Sequence, residues 1–316
     1  MWSRFSRVVN TSTVAVCMLT GSFGHAEAAP GAATPETQVS GTALRDSDRS
    51  AGNASKIHRV FKLPTPELES SAAAPVVRDS LEPVLEMAQE AHRQVQANIR
   101  DYSCILVRRE RVEGRLGNHE FIFAKIRHAV VEAGREVTPF SVYLKFLKPS
   151  SVAGREVLFV QGQNDGEMFA RRGGTRFAFV TTKLRPDSEL AMRGNRHPIT
   201  EIGVDNLLSR LIQSAKDTLQ EPCEVQYLPK AKINGRASLG IVVRYKEQRP
   251  DQPYYQAKIF VDEELQVPLH YESYDWPSEG SKEPPLLEQY TYTKLQINQG
   301  FTEADFSENN PEYQVK

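Results

Sequence analysis

The spacing of apolar residues predicts a long amphipathic helix near the start of the folded part of the chain. Between residues 81 and 99, apolar side chains recur at every third or fourth position, which aligns them along one side of an α-helix. These residues are Leu81, Val84, Leu85, Ala88, Ala91, Val95 and Ile99. Asp79 or Ser80 can cap the helix, and Pro83 falls in its first turn, where proline is tolerated. We therefore expect one face of this helix to cover an apolar surface.

From Tyr102 onward the apolar residues alternate with polar ones, which is the period of a half-buried strand. Such runs cover residues 102–109, 121–126, 140–146, 156–161, 167–170, 223–228, 237–245, 254–261, 267–276 and 286–297. Asp165-Gly166 lies between two of them and is a strong hairpin signal. A second amphipathic helix is predicted over residues 204–219. Because most strands follow one another directly, we predict an α+β fold with about nine strands in a mostly antiparallel sheet and two helices.

The first 28 residues have the pattern of a secretory signal peptide. A short basic start with Arg4 and Arg7 precedes an apolar stretch, and Ala26-Glu27-Ala28 supplies a cleavage site of small residues. Polar residues interrupt the apolar stretch, which is too short to span a bilayer. We therefore expect an exported protein of the periplasm or cell envelope, with no transmembrane anchor in the mature chain.

The remainder divides by composition into a tether, a domain and a short tail. Residues 29–79 are rich in Ala, Pro and Ser and contain too few apolar side chains to offset the entropy of ordering them, so we predict a flexible tether. Within it, the alternating segment Ile57–Leu63 has the pattern of an edge strand that docks on another surface. Residues 80–308 form the predicted domain, and residues 309–316 form a C-terminal tail.

Charge and cysteine content narrow the function classes. The chain has 39 Lys and Arg against 40 Asp and Glu, a net charge of −1, which gives no overall field to attract a nucleic acid. We predict no nucleic-acid partner. Of the three cysteines, Cys17 belongs to the predicted signal peptide, so the mature chain keeps Cys104 and Cys223. These two either form a disulfide or are two small buried side chains, and the sequence leaves both alternatives open.

Two polar clusters are candidates for chemistry. Arg108, Arg109 and Arg111 surround Glu110 on a predicted strand, whose alternation places Arg108 and Glu110 on one face and the other two arginines on the opposite face. The cluster either recognises a phosphate or carboxylate or forms ion pairs on a solvated strand. The segment His197–Glu201 joins an imidazole, a hydroxyl and a carboxylate, which either take part in hydrolysis or cap the second helix.

Elsewhere the sequence lacks a recognisable motif for a cofactor, a metal or a nucleophile. The seven histidines are scattered singly, without the spacing of metal ligands. Arg171–Gly174 lacks the lysine of a phosphate-binding loop and is expected to be a solvated loop tip. The G-x-S-x-G and H-E-x-x-H motifs of hydrolases and metalloproteases do not occur. We therefore predict no catalytic residue, no metal and no cofactor, and interpret the protein as a non-enzyme.

Short phrases at the joints between the predicted elements resemble two related groups of proteins. Those similar to the LolA/LolB superfamily of periplasmic lipoprotein carriers are Leu144–Pro149, Asn164–Gly166, Ile259–Asp262, Val267–Leu269, Leu295–Phe301 and Asp305-Phe306. A narrower set resembles DUF1571, a bacterial family of unknown function, and consists of Tyr102–Cys104, Arg108–Arg111, Pro139–Phe146, Gly154–Val157 and Pro198–Gly203. The resemblance covers about residues 80–308.

The resemblance to the lipoprotein carriers implies a strongly curved antiparallel sheet, an incomplete barrel closed by helices, whose concave face holds acyl chains. It implies no catalytic residues. On this interpretation the ligand-facing residues are Leu85, Ala88, Val95, Ile99, Phe140, Val142, Leu144 and Phe146. The alternative is that the same face is simply hydrophobic core. The expected partner is a lipid or a lipoprotein acyl group, and the alternative function is that of an envelope sensor or interaction module with a protein partner.

Overall fold

The computed structural model describes residues 63–68, 76–174, 180–249, 252–281 and 283–315. The predicted signal peptide lies outside these residues, as do most of the predicted tether and all of Ile57–Leu63 except its last residue. Within the described ranges, no helix is long and apolar enough to cross a membrane.

Three α-helices occur in the described part of the chain: α1 (Glu82–Asn98), α2 (Glu189–Met192) and α3 (Val204–Asp217). The first predicted helix is confirmed as α1. The Ser80 hydroxyl accepts a hydrogen bond from the Glu82 amide at 3.3 Å, and a proline occupies the first turn. The second predicted helix is confirmed as α3.

The described residues also form sixteen strands. In chain order they are β1 (Glu67–Leu68), β2 (Val76–Arg78), β3 (Asp101–Val112), β4 (Arg115–Leu116), β5 (Glu120–Arg127), β6 (Val130–Glu132), β7 (Arg135–Thr138), β8 (Ser141–Lys148), β9 (Glu156–Val160), β10 (Met168–Arg171), β11 (Thr181–Leu184), β12 (Cys223–Ile233), β13 (Arg236–Tyr245), β14 (Gln256–Asp262), β15 (Pro268–Tyr274) and β16 (Leu286–Ile297). All their pairings are antiparallel, as predicted. The predicted number was too low because β1, β2, β4, β6, β7 and β11 span only two to four residues, too few for an alternating pattern.

The last strand of the chain lies beside the first long one. Fourteen of the described strands share one sheet, along which the order is β1-β12-β13-β14-β15-β16-β3-β5-β8-β9-β10-β11, with β2 beside β12 and β4 beside β3. In the β16–β3 pair, Tyr290 lies opposite Arg108 and Glu288 lies opposite Glu110. The sheet ends at β1 on one side and at β11 on the other, so it is open. β1 and β2, which belong to the predicted tether, pair with β12.

α1 and α3 pack against each other and against one face of the sheet, which we call the inner face. The main hydrophobic core lies here and includes Val95 of α1 and Leu208 of α3. Tyr102 on β3 fixes the start of α3, because its hydroxyl accepts a hydrogen bond from the Val204 amide at 2.9 Å. Gly203 precedes this amide with φ +112°, and a Cβ there would lie 3.0 Å from the Tyr102 hydroxyl, so glycine is needed at this position.

The chain after β16 crosses the opposite, outer face of the sheet. Tyr313 stacks on Tyr143 of β8 with ring centroids 3.6 Å apart, and its hydroxyl donates a hydrogen bond to the Asp305 carbonyl at 2.6 Å. Tyr313 and Val315 are buried in a second apolar cluster with Leu158 of β9. The packed chain therefore extends past residue 308, where the sequence placed the end of the domain, because these apolar side chains cover the outer face.

The two cysteines of the predicted domain are free thiols, so the disulfide alternative is not realised. Cys104 lies on β3 and Cys223 begins β12, and the strands β13 to β16 separate them in the sheet. Both are buried in apolar surroundings. Burial raises the pKa of Cys104 to about 12 and also raises the pKa of Cys223, which keeps both thiols protonated.

Candidate functional site

A cavity of about 500 Å³ lies between the inner face of the sheet and residues 180–203, which begin with the edge strand β11 and then cross that face. We call residues 180–203 the roof segment. The volume of the cavity is typical of pockets for small ligands, which measure about 300–1,000 Å³. Apolar side chains of the sheet form the floor of the cavity: Leu106, Leu144, Phe146, Val157 and Met168. Apolar side chains of the roof segment face them: Val180, Leu184, Pro186, Leu190, Ala191, Ile199 and Ile202.

The alternation of the strands explains which residues reach the cavity. Successive side chains of a strand point to opposite faces, so Leu144 and Phe146 on β8 share the inner face, and Tyr143 between them joins the outer cluster. Of the predicted ligand-facing residues, Leu144 and Phe146 line the cavity. The four predicted residues between 140 and 146 all belong to the main core, and Phe140 and Val142 lie in it without lining the cavity. The inner face therefore supplies both core and cavity wall, the two alternatives left open by the sequence.

The predicted helix stripe does not line this cavity. Val95 and Ile99 are buried in the main core, and Leu85 packs against its edge. Ala88 is half-buried, and it too is absent from the lining. The physical reason is that α1 packs on α3, so the two helices cover a different part of the inner face from the roof segment.

Two buried carboxylates of the sheet hold the roof segment. The Glu110 carboxylate accepts a hydrogen bond from the Arg196 amide at 3.1 Å and another from the Tyr290 hydroxyl at 2.6 Å. The Glu288 carboxylate lies 2.7 Å from His197 Nε2 and 3.3 Å from Arg196 Nε. Because Glu110 and Glu288 are opposite each other on neighbouring strands, both contact the same short stretch of the roof segment, Arg196-His197.

The contacts of Glu288 with the roof segment depend on the negative charge of its carboxylate. Burial alone would raise the pKa of this carboxyl, but the hydrogen bond and charge of His197, with the charges of Arg210 and Arg196, lower that pKa to about 2. The carboxylate is therefore ionised at neutral pH although it is almost completely buried. A buried carboxylate without these partners would be strongly destabilising.

The segment around His197 is a structural contact between the roof segment and the sheet. His197 Nδ1 lies 3.3 Å from a Glu201 carboxylate oxygen, and Arg210 of α3 lies 3.6 Å from the same oxygen. The suggestion that Thr200 or Glu201 caps the second helix is wrong, because α3 has Gly203 at its N-cap and no capping side chain. Glu201 pairs instead with His197 and Arg210.

The arginine cluster on β3 divides between the two faces as its alternation predicts. Arg108 faces the cavity, where its Nε donates to Glu120 at 2.8 Å and its Nη2 donates to Asn195 of the roof segment at 2.6 Å. Burial disfavours its charged form, but the carboxylates of Glu110 and Glu120 outweigh that effect and raise the pKa of Arg108. Arg108 is thus a third tie between the sheet and the roof segment.

The remaining two arginines of the cluster donate hydrogen bonds to backbone carbonyls. Arg109 Nε donates to the Gly117 carbonyl at 2.9 Å, and Arg111 Nε donates to the Leu286 carbonyl at 2.8 Å. Arg171 and Arg172, expected at a solvated loop tip, line the mouth of the cavity. Within the described ranges, no group of His, Cys, Asp and Glu side chains could hold a metal ion.

Sequence reasoning did not identify Glu288, Asn195 or Arg196. Glu288 carried a signal, since it shares a face with Tyr290 and Tyr292 on a predicted strand and a carboxylate there has to find a partner. The roof residues carried none, because the carboxylates they contact are far away in the sequence.

Comparison with known proteins identifies a family and distant structural similarities. The sequence profile of the family described as "Protein of unknown function (DUF1571)" matches residues 99–315, which confirms the narrower resemblance. No curated protein matches the chain.

Three solved structures illustrate the structural similarities. A DUF1329 family protein from Desulfovibrio piger has a TM-score of 0.37 at 11% identity, over 73% of this chain and 98% of that one. A putative outer membrane lipoprotein-sorting protein domain from Vibrio parahaemolyticus has a TM-score of 0.34 at 15% identity, over 72% and 98%. In the MucA/MucB complex of Pseudomonas aeruginosa, the matching chain has a TM-score of 0.39 at 15% identity, over 72% of this chain and 60% of that one.

Proposed function

We propose that this chain, which belongs to the DUF1571 family of proteins of unknown function, binds an acyl chain in the cavity beneath its roof segment. The observation that carries the proposal is the composition of that cavity. Its floor and roof are faced with apolar side chains, and its volume of about 500 Å³ exceeds the small voids of a packed core. Apolar surface in contact with water costs about 25 cal/mol per Å², so an apolar ligand that covers this surface is stabilised there.

The geometry of the roof supports a site that can open. The roof segment contains only short elements, β11, α2 and a 3-10 turn at Ile199–Glu201. β11 is held by its backbone pairing with β10, but the stretch after it, residues 185–202, contains no fully buried residue, and its hydrogen bonds to the sheet are made at Asn195, Arg196 and His197. Segments with few buried apolar contacts open at a small free-energy cost. A ligand therefore has a route into the cavity that leaves the main core intact.

A neutral apolar dye tests the proposal without reference to any charged group. N-phenyl-1-naphthylamine fluoresces when it enters an apolar site, and we expect it to bind the wild-type protein at one saturable site. The substitution Ala191→Trp places a large ring in the cavity wall and is expected to weaken dye binding at least tenfold. The control is Ala97→Trp on the exposed side of α1, which should leave binding unchanged.

Extraction of the purified protein with organic solvent, followed by mass spectrometry, should recover co-purified lipid from wild type and from Ala97→Trp, and less from Ala191→Trp. A protein that carries no lipid and ignores the dye would contradict the proposal. Equal dye binding by both tryptophan variants would place the dye outside the cavity and would contradict it as well. We further propose that the protein is exported to the cell envelope, where such ligands occur.

A second candidate function is binding to an envelope protein, favoured by the separate hairpin formed by β6 and β7. These strands pair only with each other within the described chain, and Val131 and Val137 are 63% and 49% exposed. Unpaired strand edges and exposed apolar side chains favour docking of a partner strand. Crosslinking in envelope fractions tests this: wild type should capture a reproducible protein that the Val131→Lys, Val137→Lys double variant does not. Identical capture by both would argue against the hairpin.

A further inference from the structure

The cavity lining carries a marked excess of positive charge. Six arginines contribute to it: Arg108, Arg155, Arg171, Arg172, Arg193 and Arg210. Among the described residues, only two acidic side chains do so, Glu110 and Glu201. An apolar ligand without charge would need none of these guanidinium groups near its binding site, so their presence calls for an explanation.

Three of the six arginines form hydrogen bonds or ion pairs with other residues of the protein. Arg108 binds Glu120 and Asn195, as described above. Arg171 donates from Nη1 to the Gly154 carbonyl at 2.9 Å, and Arg210 pairs with Glu201. These contacts stabilise the fold and explain why the three arginines lie here.

In the part of the chain that the structure describes, the other three guanidinium groups have no such partner. Within the described ranges, no carboxylate lies within ion-pair distance of Arg155, Arg172 or Arg193. Arg172 and Arg193 are exposed, and Arg155 is half-buried, which places the first two at the mouth of the cavity and the third further in. Away from the cavity, the buried Arg127 and the half-buried Arg236 do pair with carboxylates.

Arg155 lies where the apolar floor meets this charged mouth. Its guanidinium carbon is 5.1 Å from the centroid of the Phe146 ring, one of the floor residues. Burial lowers the pKa of Arg155, the carboxylate of Glu120 opposes this effect, and the charges of Arg108 and Arg172 lower that pKa further. The arrangement therefore leaves positive charge that an incoming anion would stabilise.

We propose that the ligand of this cavity is an amphiphile with an anionic head group, a carboxylate or a phosphate, held by Arg155 and Arg172 while its acyl chain lies on the Phe146 side of the floor. The inference rests on the proposed function. The planar guanidinium fork matches the two oxygens of a carboxylate or phosphate, and such charge-assisted pairs are stronger than neutral hydrogen bonds. Arg193 at the mouth adds a positive charge along the route of entry.

Competition among three probes with the same chain separates the head group from the chain. Oleate, oleoyl lysophosphatidic acid and oleyl alcohol are each titrated against bound N-phenyl-1-naphthylamine. We expect oleate, lysophosphatidic acid or both to displace the dye at concentrations at least tenfold lower than oleyl alcohol. Preference between the two anions tells whether a carboxylate or a phosphate is the better head group.

Arginine variants locate the head group. Arg155→Gln and Arg172→Gln should each weaken the binding of the preferred anion about tenfold and leave oleyl alcohol unchanged. The matched control is Arg135→Gln on the exposed hairpin, which should bind all three probes like wild type. Arg155→Lys keeps the charge without the fork and should bind the anion with intermediate affinity. If circular dichroism shows that Arg155→Gln does not fold, the exposed Arg172 carries the same test.

The outcomes separate this inference from the function on which it rests. Equal displacement by all three probes, or anion binding that neither glutamine variant weakens, would overturn the anionic head group and leave the acyl-chain site standing. Failure of the dye itself to bind would overturn both.

Discussion

Replacing Glu288 with glutamine tests how much its ionised carboxylate stabilises the contact between the sheet and the roof segment. Lowering the pKa of this carboxyl from 4.5 to about 2 corresponds to about 3 kcal/mol in favour of the folded state at neutral pH, at about 1.4 kcal/mol per pKa unit. As the pH falls through 4.5, the unfolded chain takes up this proton before the folded chain does. The contribution is therefore complete above that pH and is lost on the way down to pH 2.

Glutamine cannot ionise, so Glu288→Gln should be about 3 kcal/mol less stable than wild type at pH 7, and the gap should shrink to about half or less by pH 3. This difference in the free energy of unfolding is measured by urea titration at pH 7, 5 and 3, with circular dichroism as the signal. The control is Glu132→Gln on exposed β6, which should follow wild type at every pH. Trypsin should also cut the variant faster at Arg193 and Arg196, because the roof segment opens more often. A gap that is the same at pH 7 and pH 3 would refute the role given to the charge of Glu288.

Three further predictions concern the core, the outer face and the thiols. Leu208→Ala should lower the free energy of unfolding by about 2–5 kcal/mol, and Leu190→Ala, at a 54% exposed position, by less than about 0.5 kcal/mol; similar urea midpoints for the two would contradict the assigned core. Tyr313→Ala should cost about 3–5 kcal/mol in the same assay, because it removes the stack on the outer face, and an unchanged midpoint would show that this stack is dispensable. Iodoacetamide labelling read by peptide mass should leave Cys104 and Cys223 unmodified until denaturant is added, and rapid labelling of either in the native protein would disprove its burial.

The sheet could be predicted from the sequence because its signals are local. Alternation within each long strand, the Asp165-Gly166 turn and the three-to-four spacing of α1 all act over a few residues. Positive φ angles at Asn164 and Asp165, 53° and 55°, show that the turn between β9 and β10 adopts the left-handed conformation that such residues tolerate. Local rules were therefore sufficient for the long strands, for α1 and α3, and for the antiparallel pairing of strands that follow one another along the chain.

The cavity could be predicted only in part, since its roof depends on contacts between distant parts of the chain. Phe140, Val142, Leu144 and Phe146 have the same pattern in the sequence, yet only the last two lie beneath the roof segment. Which of them faces core and which faces cavity depends on where residues 180–203 cross the sheet. That path is set by the contacts of Glu110 with Arg196 and of Glu288 with His197. These residues are far apart in the sequence, so no local pattern predicts the contacts.

The pairing of β3 with β16 has a consequence for how the chain reaches its native state. The central seam of the sheet joins Glu110 to Glu288, so it cannot close until nearly the whole domain has been synthesised. Contacts between such distant residues make folding slow, because a long loop has to be closed before they form. A chain that stops before residue 286 has unpaired edges at β3 and β15, and light scattering should show that such a fragment aggregates where the full chain stays monodisperse. The strand that carries Glu288 thus completes the sheet and secures the roof in one late step of folding.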